Sequence, residues 1–271
     1  MMRRALRKIR KSIWLLTAPI WLIAIMFIRK WRKLWSGRYK KEDKIFIKIG
    51  HRGAAGYEPE NTLASFKRAL ELGVDAVELD VHCCSTGEVV AMHDKTLERT
   101  TNGKGYVIEK SLAELKSLNA GKGQQIPTLE EVLNLIDKKT IVNIELKGAH
   151  TAESVAKIVR YYINNYGWKP EMFWISSFDH EQLKKFRSLE PEIKIGALVT
   201  RIPRRRYADF IETLEVDFIN PSMNFINKKF IDQAHKKGLK IFAYTVNHPE
   251  DIIRMKLLGV DGIFSNFPDR L

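Results

Sequence analysis

The chain has 271 residues, enough for one large α/β domain or two smaller ones, and its 45% hydrophobic content excludes a disordered chain. Its formal net charge of +14 raises the question of a nucleic-acid partner. However, residues 1–44 carry 14 Lys/Arg and 2 Asp/Glu, a net charge of +12, so the remainder carries only +2. Because the globular part lacks a basic surface, no nucleic-acid partner is expected.

Residues 1–35 predict a basic, hydrophobic membrane anchor that contacts membrane lipid. Ile13 to Ile28 is an uncharged apolar stretch with basic residues on both sides. As a helix it extends about 24 Å, and flanking tryptophans and basic side chains can cover the rest of a roughly 30 Å hydrocarbon core. An uncleaved single-span helix is favoured over a helix lying in the interface. A cleaved signal peptide fits less well because no small-residue cleavage site follows. Because both flanks are basic, the side of the membrane on which the globular part lies is undetermined.

A linker over residues 36–44 precedes an alternation of short apolar runs and amphipathic stretches. The predicted strands are Ile45–Ile49, Ala76–Val81, Ile141–Ile144, Phe173–Ile175, Ile195–Leu198, Phe218–Ile219, Ile241–Thr245 and Gly262–Phe264. The predicted helices are Thr62–Leu72, Thr128–Leu135, Ala152–Tyr162, His180–Leu189, Lys228–Lys237 and Pro249–Leu258. An extra strand, Val89–Met92, follows a hairpin turn. This order predicts an α/β fold, a (β/α)8 TIM barrel over residues 45–271, preceded by an N-terminal hydrophobic helix. An open doubly wound sheet is the alternative.

Acidic residues at strand ends predict a metal site. Glu78 and Asp80 lie two residues apart on one strand, so their side chains share a face, and Glu145 ends a later strand. Carboxylates that face one barrel interior repel each other unless a divalent cation neutralises them, and oxygen ligands suit Mg²⁺ or Ca²⁺. For any one pair alone, a salt bridge at the barrel mouth is the alternative.

Basic side chains and histidines occupy neighbouring strand ends. His51 and Arg52 follow the first strand, His93 follows the hairpin strand, and Lys147 follows Glu145 by two residues. A histidine exchanges a proton near neutral pH, so two histidines can act as a complementary acid and base. Arginine and lysine bind phosphate, the first with a planar fork and the second as a point charge.

These motifs, taken in order, resemble the glycerophosphodiester phosphodiesterase family over roughly residues 45–271. The matching segments are GHRGAAGYEPENTLASFKRALELGVDAVELDVH, VVAMHDKTLERTTNGKG, IPTLEEVL, NIELKG, SSFDHEQL, TVN and GVDGIFSNFPD. The resemblance implies a TIM barrel that uses one divalent cation to hydrolyse glycerophosphodiesters to sn-glycerol 3-phosphate and an alcohol. The implied roles are acid–base catalysis for His51 and His93, phosphate binding for Arg52 and Lys147, and metal binding for Glu78, Asp80 and Glu145.

Three further features frame the implied site. Tyr244 stands where the family often has tryptophan, and we expect it to form a substrate wall with Phe178. Asn266 stands where the family often has aspartate, a departure expected to leave the acid–base and metal residues untouched. The turn that contains Glu60 and Asn61 is expected to shape the mouth of the site rather than take part in chemistry.

The predicted function is hydrolysis of glycerophosphodiesters by a membrane-tethered enzyme. A lysophospholipase D that acts on lysophospholipids at the bilayer is the nearest alternative, because the anchor would hold the barrel close to lipid. An inactive, membrane-bound binding module is the third, and the intact set of histidines and carboxylates argues against it.

Overall fold

A computed structural model describes residues 46–201 and 215–271 of the chain. The predicted anchor, residues 1–35, and the linker, residues 36–44, lie outside the described residues. Within the two described ranges, no helix is both long enough and apolar enough to cross a membrane.

Eight parallel strands among the described residues close into a barrel. They are β1 (Ile47–Gly50), β2 (Ala76–Cys83), β4 (Ile141–Leu146), β5 (Phe173–Ser177), β6 (Lys194–Val199), β7 (Phe218–Pro221), β8 (Lys240–Ala243) and β9 (Gly262–Ser265). The strands follow the order β1-β9-β8-β7-β6-β5-β4-β2, and pairing of β1 with β2 completes the ring. Antiparallel β3 (Val89–Ala91) pairs with the end of β2. The predicted TIM barrel and its hairpin strand are therefore confirmed.

Helices follow the strands around the barrel. They are α1 (Leu63–Glu71), α2 (Leu112–Lys116), α3 (Leu129–Ile136), α4 (Thr151–Tyr166), α5 (His180–Leu189), α6 (Lys228–Lys236) and α7 (Pro249–Leu258). Side chains at the helix starts satisfy exposed backbone N–H groups, as when Thr62 accepts from Ser65 at the start of α1. The six predicted helices are confirmed. The short α2, which begins with a capping box between Ser111 and Glu114, is an addition.

Side-chain alternation along the strands separates an outer core from the barrel interior. Val77 and Leu79 of β2 belong to the large apolar cluster that also contains helix residues such as Phe66. The interior floor is a second cluster, formed by Ile49, Ala76, Trp174, Phe218, Phe242 and Phe264. Because aromatic side chains fill the floor, polar interior side chains are left at the carboxyl ends of the strands, where a TIM barrel carries its active site.

Candidate active site

The three acidic residues predicted to bind metal come together at the carboxyl ends of two paired strands. Glu78 and Asp80 lie on β2, and the strand register places Asp80 beside Glu145 on β4. One carboxylate oxygen from each residue lies within 4.8 Å of the other two, and all three residues are buried. The predicted spacing thus produces one compact acidic cluster.

The electrostatics of this acidic cluster suit a cation. Burial raises the pKa of Glu78 well above its ordinary value, and repulsion from Asp80 adds to the effect. Burial, followed by repulsion from Asp80, raises the pKa of Glu145 to about 8. Burial also opposes ionisation of Asp80, but Arg52 and other cationic neighbours keep its pKa below the ordinary value. Asp80 Oδ1 is buried and has no hydrogen-bond partner among the described residues. A divalent cation fits this donor set, since it would satisfy that oxygen and offset the repulsion among the three carboxylates.

The turn after β1 contacts two of the predicted metal ligands. The Arg52 N–H donates to Glu78 Oε2 at 2.7 Å, and Arg52 Nε lies 3.2 Å from Asp80 Oδ2. Arg52 Nη1 donates to Glu60 Oε1 at 2.8 Å, and Asn61 Nδ2 donates to Asp80 Oδ2 at 2.9 Å. Arg52 and Asn61 both have a left-handed backbone, with φ of 52° and 56°. The turn therefore does more than shape the mouth, because it orients a predicted phosphate ligand and a predicted metal ligand.

His51 is bound to the residue that follows the last strand. Its Nδ1 lies 2.6 Å from Asn266 Oδ1, and the Asn266 N–H donates to Asn247 Oδ1 at 2.9 Å. Burial, and then the positive charge of Arg52, lower the pKa of His51 to about 4. The expectation that Asn266 leaves the acid–base residues untouched is wrong. Because β9 pairs with β1, the residue after β9 lies beside the residue after β1.

His93 lies among charged groups, and Lys147 connects it to Glu145 of the acidic cluster. Its Nδ1 is 2.5 Å from Asp94 Oδ1, and its Nε2 is 3.2 Å from Lys147 Nζ. The same ammonium donates to Glu145 Oε1 at 2.9 Å. His82 Nε2 lies 3.3 Å from the His93 carbonyl oxygen, so its ring contacts backbone beside the site. The structure thus brings His93 and Lys147 together as a pair.

The two aromatic residues predicted to form a wall are in contact. The rings of Phe178 and Tyr244 meet edge to face, with centroids 5.9 Å apart. Lys147 Nζ lies 5.6 Å from the ring centroid of Phe178, which is exposed to solvent. The Tyr244 hydroxyl donates to the Val199 carbonyl at 3.2 Å, which fixes the ring. An apolar surface therefore lies next to the predicted phosphate ligand.

Sequence reasoning missed the contacts of Arg99 and Asn266. Arg99 follows β3 and binds both Glu60 and Asp94. Its only sequence signal was its place in the segment VVAMHDKTLERTTNGKG, and Asn266 had a similar signal in GVDGIFSNFPD. Neither segment indicates which residue its side chains contact.

Comparisons with known proteins agree with this geometry. The family model described as "Glycerophosphoryl diester phosphodiesterase family" matches residues 51–270. A glycerophosphodiester phosphodiesterase of Caldanaerobacter subterraneus subsp. tengcongensis is 38% identical over 238 residues, which cover 82% of this chain and 95% of that protein. The structure of an Oleispira antarctica phosphodiesterase in complex with the product sn-glycerol-3-phosphate has a TM-score of 0.75 and 31% identity, and the match covers 82% of this chain and 93% of that chain.

A more distant relative carries a different activity in its name. A human lysophospholipase D is 23% identical over an alignment of 297 residues that covers 93% of this chain and 92% of that protein. The match to the family model and the 38% identity of the bacterial relative decide the assignment, and the barrel with its acidic cluster agrees with it. This chain belongs to the glycerophosphoryl diester phosphodiesterase family and is a phosphoric diester hydrolase.

Proposed function

We propose that this protein hydrolyses glycerophosphodiesters to sn-glycerol 3-phosphate and an alcohol, and that the reaction requires a divalent cation. The observation that carries the proposal is the buried cluster of Glu78, Asp80 and Glu145, in which Asp80 interacts electrostatically with both His51 and His93. These three carboxylates would hold Mg²⁺ or Ca²⁺, the hard cations that oxygen ligands prefer. Bound there, the cation would polarise the phosphate and lower the pKa of a neighbouring hydroxyl.

Arg52 and Lys147 are the proposed phosphate ligands. The guanidinium of Arg52 is held between Glu60 and Asp80, so its orientation is fixed before substrate binds. Lys147 carries its charge between Glu145 and His93. Two cationic groups beside the acidic cluster, one paired with each oxygen of Asp80, can bind separate phosphate oxygens and stabilise the charge that develops on them.

His51 is the proposed general base. Its low pKa keeps the ring neutral near pH 7. If Asn266 Oδ1 accepts the Nδ1 proton, the lone pair on Nε2 is left to receive another. It would take the proton of the attacking hydroxyl, which belongs to water or to the glycerol of the substrate, as the new bond to phosphorus forms.

His93 is the proposed general acid. Asp94 Oδ1 lies 2.5 Å from His93 Nδ1 and orients the ring, as the carboxylate of a catalytic triad orients its histidine. An incoming phosphate anion would draw Lys147 away from Nε2, so that Nε2 can carry the proton that the leaving alcohol needs when its bond to phosphorus breaks. If the glycerol hydroxyl attacks first, the resulting cyclic phosphate opens with water while the histidines exchange roles.

A lysophospholipase D remains the second candidate function. The apolar wall of Phe178 and Tyr244 beside Lys147 favours it, because a lysophospholipid has an acyl chain to place against that wall. The name of the distant human relative also favours it. Both functions use the same acid–base chemistry and differ in what the substrate carries beyond the phosphate.

Substrate comparison separates these functions. Purified full-length protein is assayed with glycerophosphocholine and lysophosphatidylcholine, with Mg²⁺, with Ca²⁺ or with chelator. We expect cation-dependent hydrolysis with the higher kcat/KM for glycerophosphocholine, and its loss in Glu145→Gln but not in Glu181→Gln, a change at an exposed surface position. Faster hydrolysis of lysophosphatidylcholine would favour the second function. If neither substrate is hydrolysed with any cation, the result would favour the third hypothesis, an inactive binding module.

We further propose that residues 1–35 tether the enzyme to a membrane. Their apolar stretch and basic flanks support this, because anionic lipid attracts the flanks while the centre partitions into the bilayer. The full-length protein is mixed with vesicles of phosphatidylcholine and phosphatidylglycerol and sedimented. A spanning anchor stays bound after alkaline carbonate treatment and an interfacial helix is released. A protein that remains in the supernatant without treatment contradicts the tether.

A further inference from the structure

Arg99 links two parts of the active site that come from separate segments of the chain. Its Nη1 and Nη2 donate to the two carboxylate oxygens of Glu60, at 2.9 and 2.7 Å. Its Nε and Nη2 donate to the two oxygens of Asp94, at 2.5 and 3.2 Å. One guanidinium therefore makes two forked contacts, a geometry that lysine cannot reproduce.

Each carboxylate that Arg99 binds contacts a proposed active-site residue. Glu60 accepts from Arg52 at 2.8 Å, and Asp94 lies 2.5 Å from His93 Nδ1. An unbroken series of contacts thus runs from the phosphate ligand Arg52 to the acid His93, with Arg99 at its centre. Hydrogen bonds from Arg99 hold the pKa of Asp94 far below its usual range, so this carboxylate stays charged.

The position of Arg99 argues against a role in stability alone. Its side chain is 47% exposed, and exposed ion pairs contribute little to folding. Its partners, however, are less exposed and lie beside the chemistry. Misplacing a catalytic group by about 1 Å can cost roughly 100-fold in rate, so a contact of small energetic value can matter greatly for activity.

We propose that Arg99 is a positioning residue, which clamps Asp94 against His93 and Glu60 against Arg52 and so fixes the acid relative to the phosphate ligand. The inference rests on the proposed role of His93 as general acid. It predicts a loss that depends on the leaving group. An alcohol must receive a proton as it departs, whereas p-nitrophenol leaves as a stable phenolate without one.

The test compares Arg99→Gln with wild type on glycerophosphocholine and on the p-nitrophenyl ester of glycerol phosphate. We expect kcat/KM to fall about 100-fold on the first and no more than about 10-fold on the second. Arg99→Lys keeps the charge without the fork and should recover less than about a tenth of the lost activity. Arg68→Gln, which removes an exposed arginine that pairs with Glu71, is the matched control and should behave as wild type.

A second variant keeps the test decisive if Arg99→Gln folds poorly. Asp94→Asn leaves the contact between Arg99 and Glu60 intact and should show the same selective loss. The double variant, with both Arg99→Gln and Asp94→Asn, should lose no more activity than the worse single variant. Equal losses on both substrates, activity close to wild type, or full recovery with lysine would overturn the positioning role.

The proposed function is judged separately by His93→Gln. If this variant loses activity equally on both substrates, the acid assignment itself fails, whereas a selective loss there without one in Arg99→Gln overturns only the clamp.

Discussion

The hydrogen bond between His51 and Asn266 allows a quantitative test of the general base. Burial and Arg52 lower the pKa of His51 to about 4, and the amide of Asn266 is a neutral partner 2.6 Å from Nδ1. In Asn266→Asp a carboxylate would take that place, and its bond to the protonated ring would become charge-assisted. Such bonds contribute about 1.5–3 kcal/mol. At about 1.4 kcal/mol per pKa unit, the pKa of His51 should rise by about 1–2 units.

The assay is the pH dependence of kcat/KM for glycerophosphocholine at saturating cation. A base must be neutral to act, so the rate falls as the pH drops through its pKa. Raising this pKa should therefore move the acidic limb about 1–2 units toward higher pH in Asn266→Asp. Asn134→Asp adds the same charge at an exposed position on α3 and is the matched control, with no shift expected. An acidic limb that stays in place or moves to lower pH in Asn266→Asp would refute the assignment of His51 as base.

Three further predictions concern the site and its support. His51→Ala and His93→Ala should each lower kcat by about 10²–10⁴-fold with little change in Tm, and near-wild-type turnover in either would refute the pairing. The raised pKa of Glu145, about 8, means that its stabilising contribution is complete below its ordinary pKa and is lost as the pH rises through 8. Chelated protein should therefore show a Tm that falls between about pH 5 and 9, and added Mg²⁺ or Ca²⁺ should remove the fall; a flat profile would contradict it. Gly196→Ala would overlap the Phe218 ring and should destabilise the barrel floor by about 1–3 kcal/mol in urea unfolding, so an unchanged midpoint would refute that packing.

Local sequence pattern predicted the parts of the site that depend on strand geometry. Glu78 and Asp80 share a face because alternate strand residues do, and the same rule places Glu145 and Lys147 together. Parallel strands bring their carboxyl ends to one edge, so these residues meet without any contact being known in advance. The barrel itself followed from the alternation of strands and helices, although strand ends differ by one or two residues, as in β8.

The contacts that orient the histidines could not be predicted from local pattern. His51 and Asn266 are 215 residues apart, and they meet only because the last strand pairs with the first. Arg99 reaches Glu60 across 39 residues, from one irregular loop to another. Such loops lack the regular side-chain alternation of a strand, so sequence spacing does not indicate which polar side chains will meet.

The most direct test of the central claim, cation-dependent hydrolysis of the bond between phosphorus and the alcohol, is ³¹P NMR of glycerophosphocholine treated with the full-length enzyme. With Mg²⁺ or Ca²⁺ the substrate signal should give way to that of sn-glycerol 3-phosphate, and chelator should stop the conversion until the cation is restored. Formation of phosphocholine, or conversion at the same rate in chelator, would contradict the account.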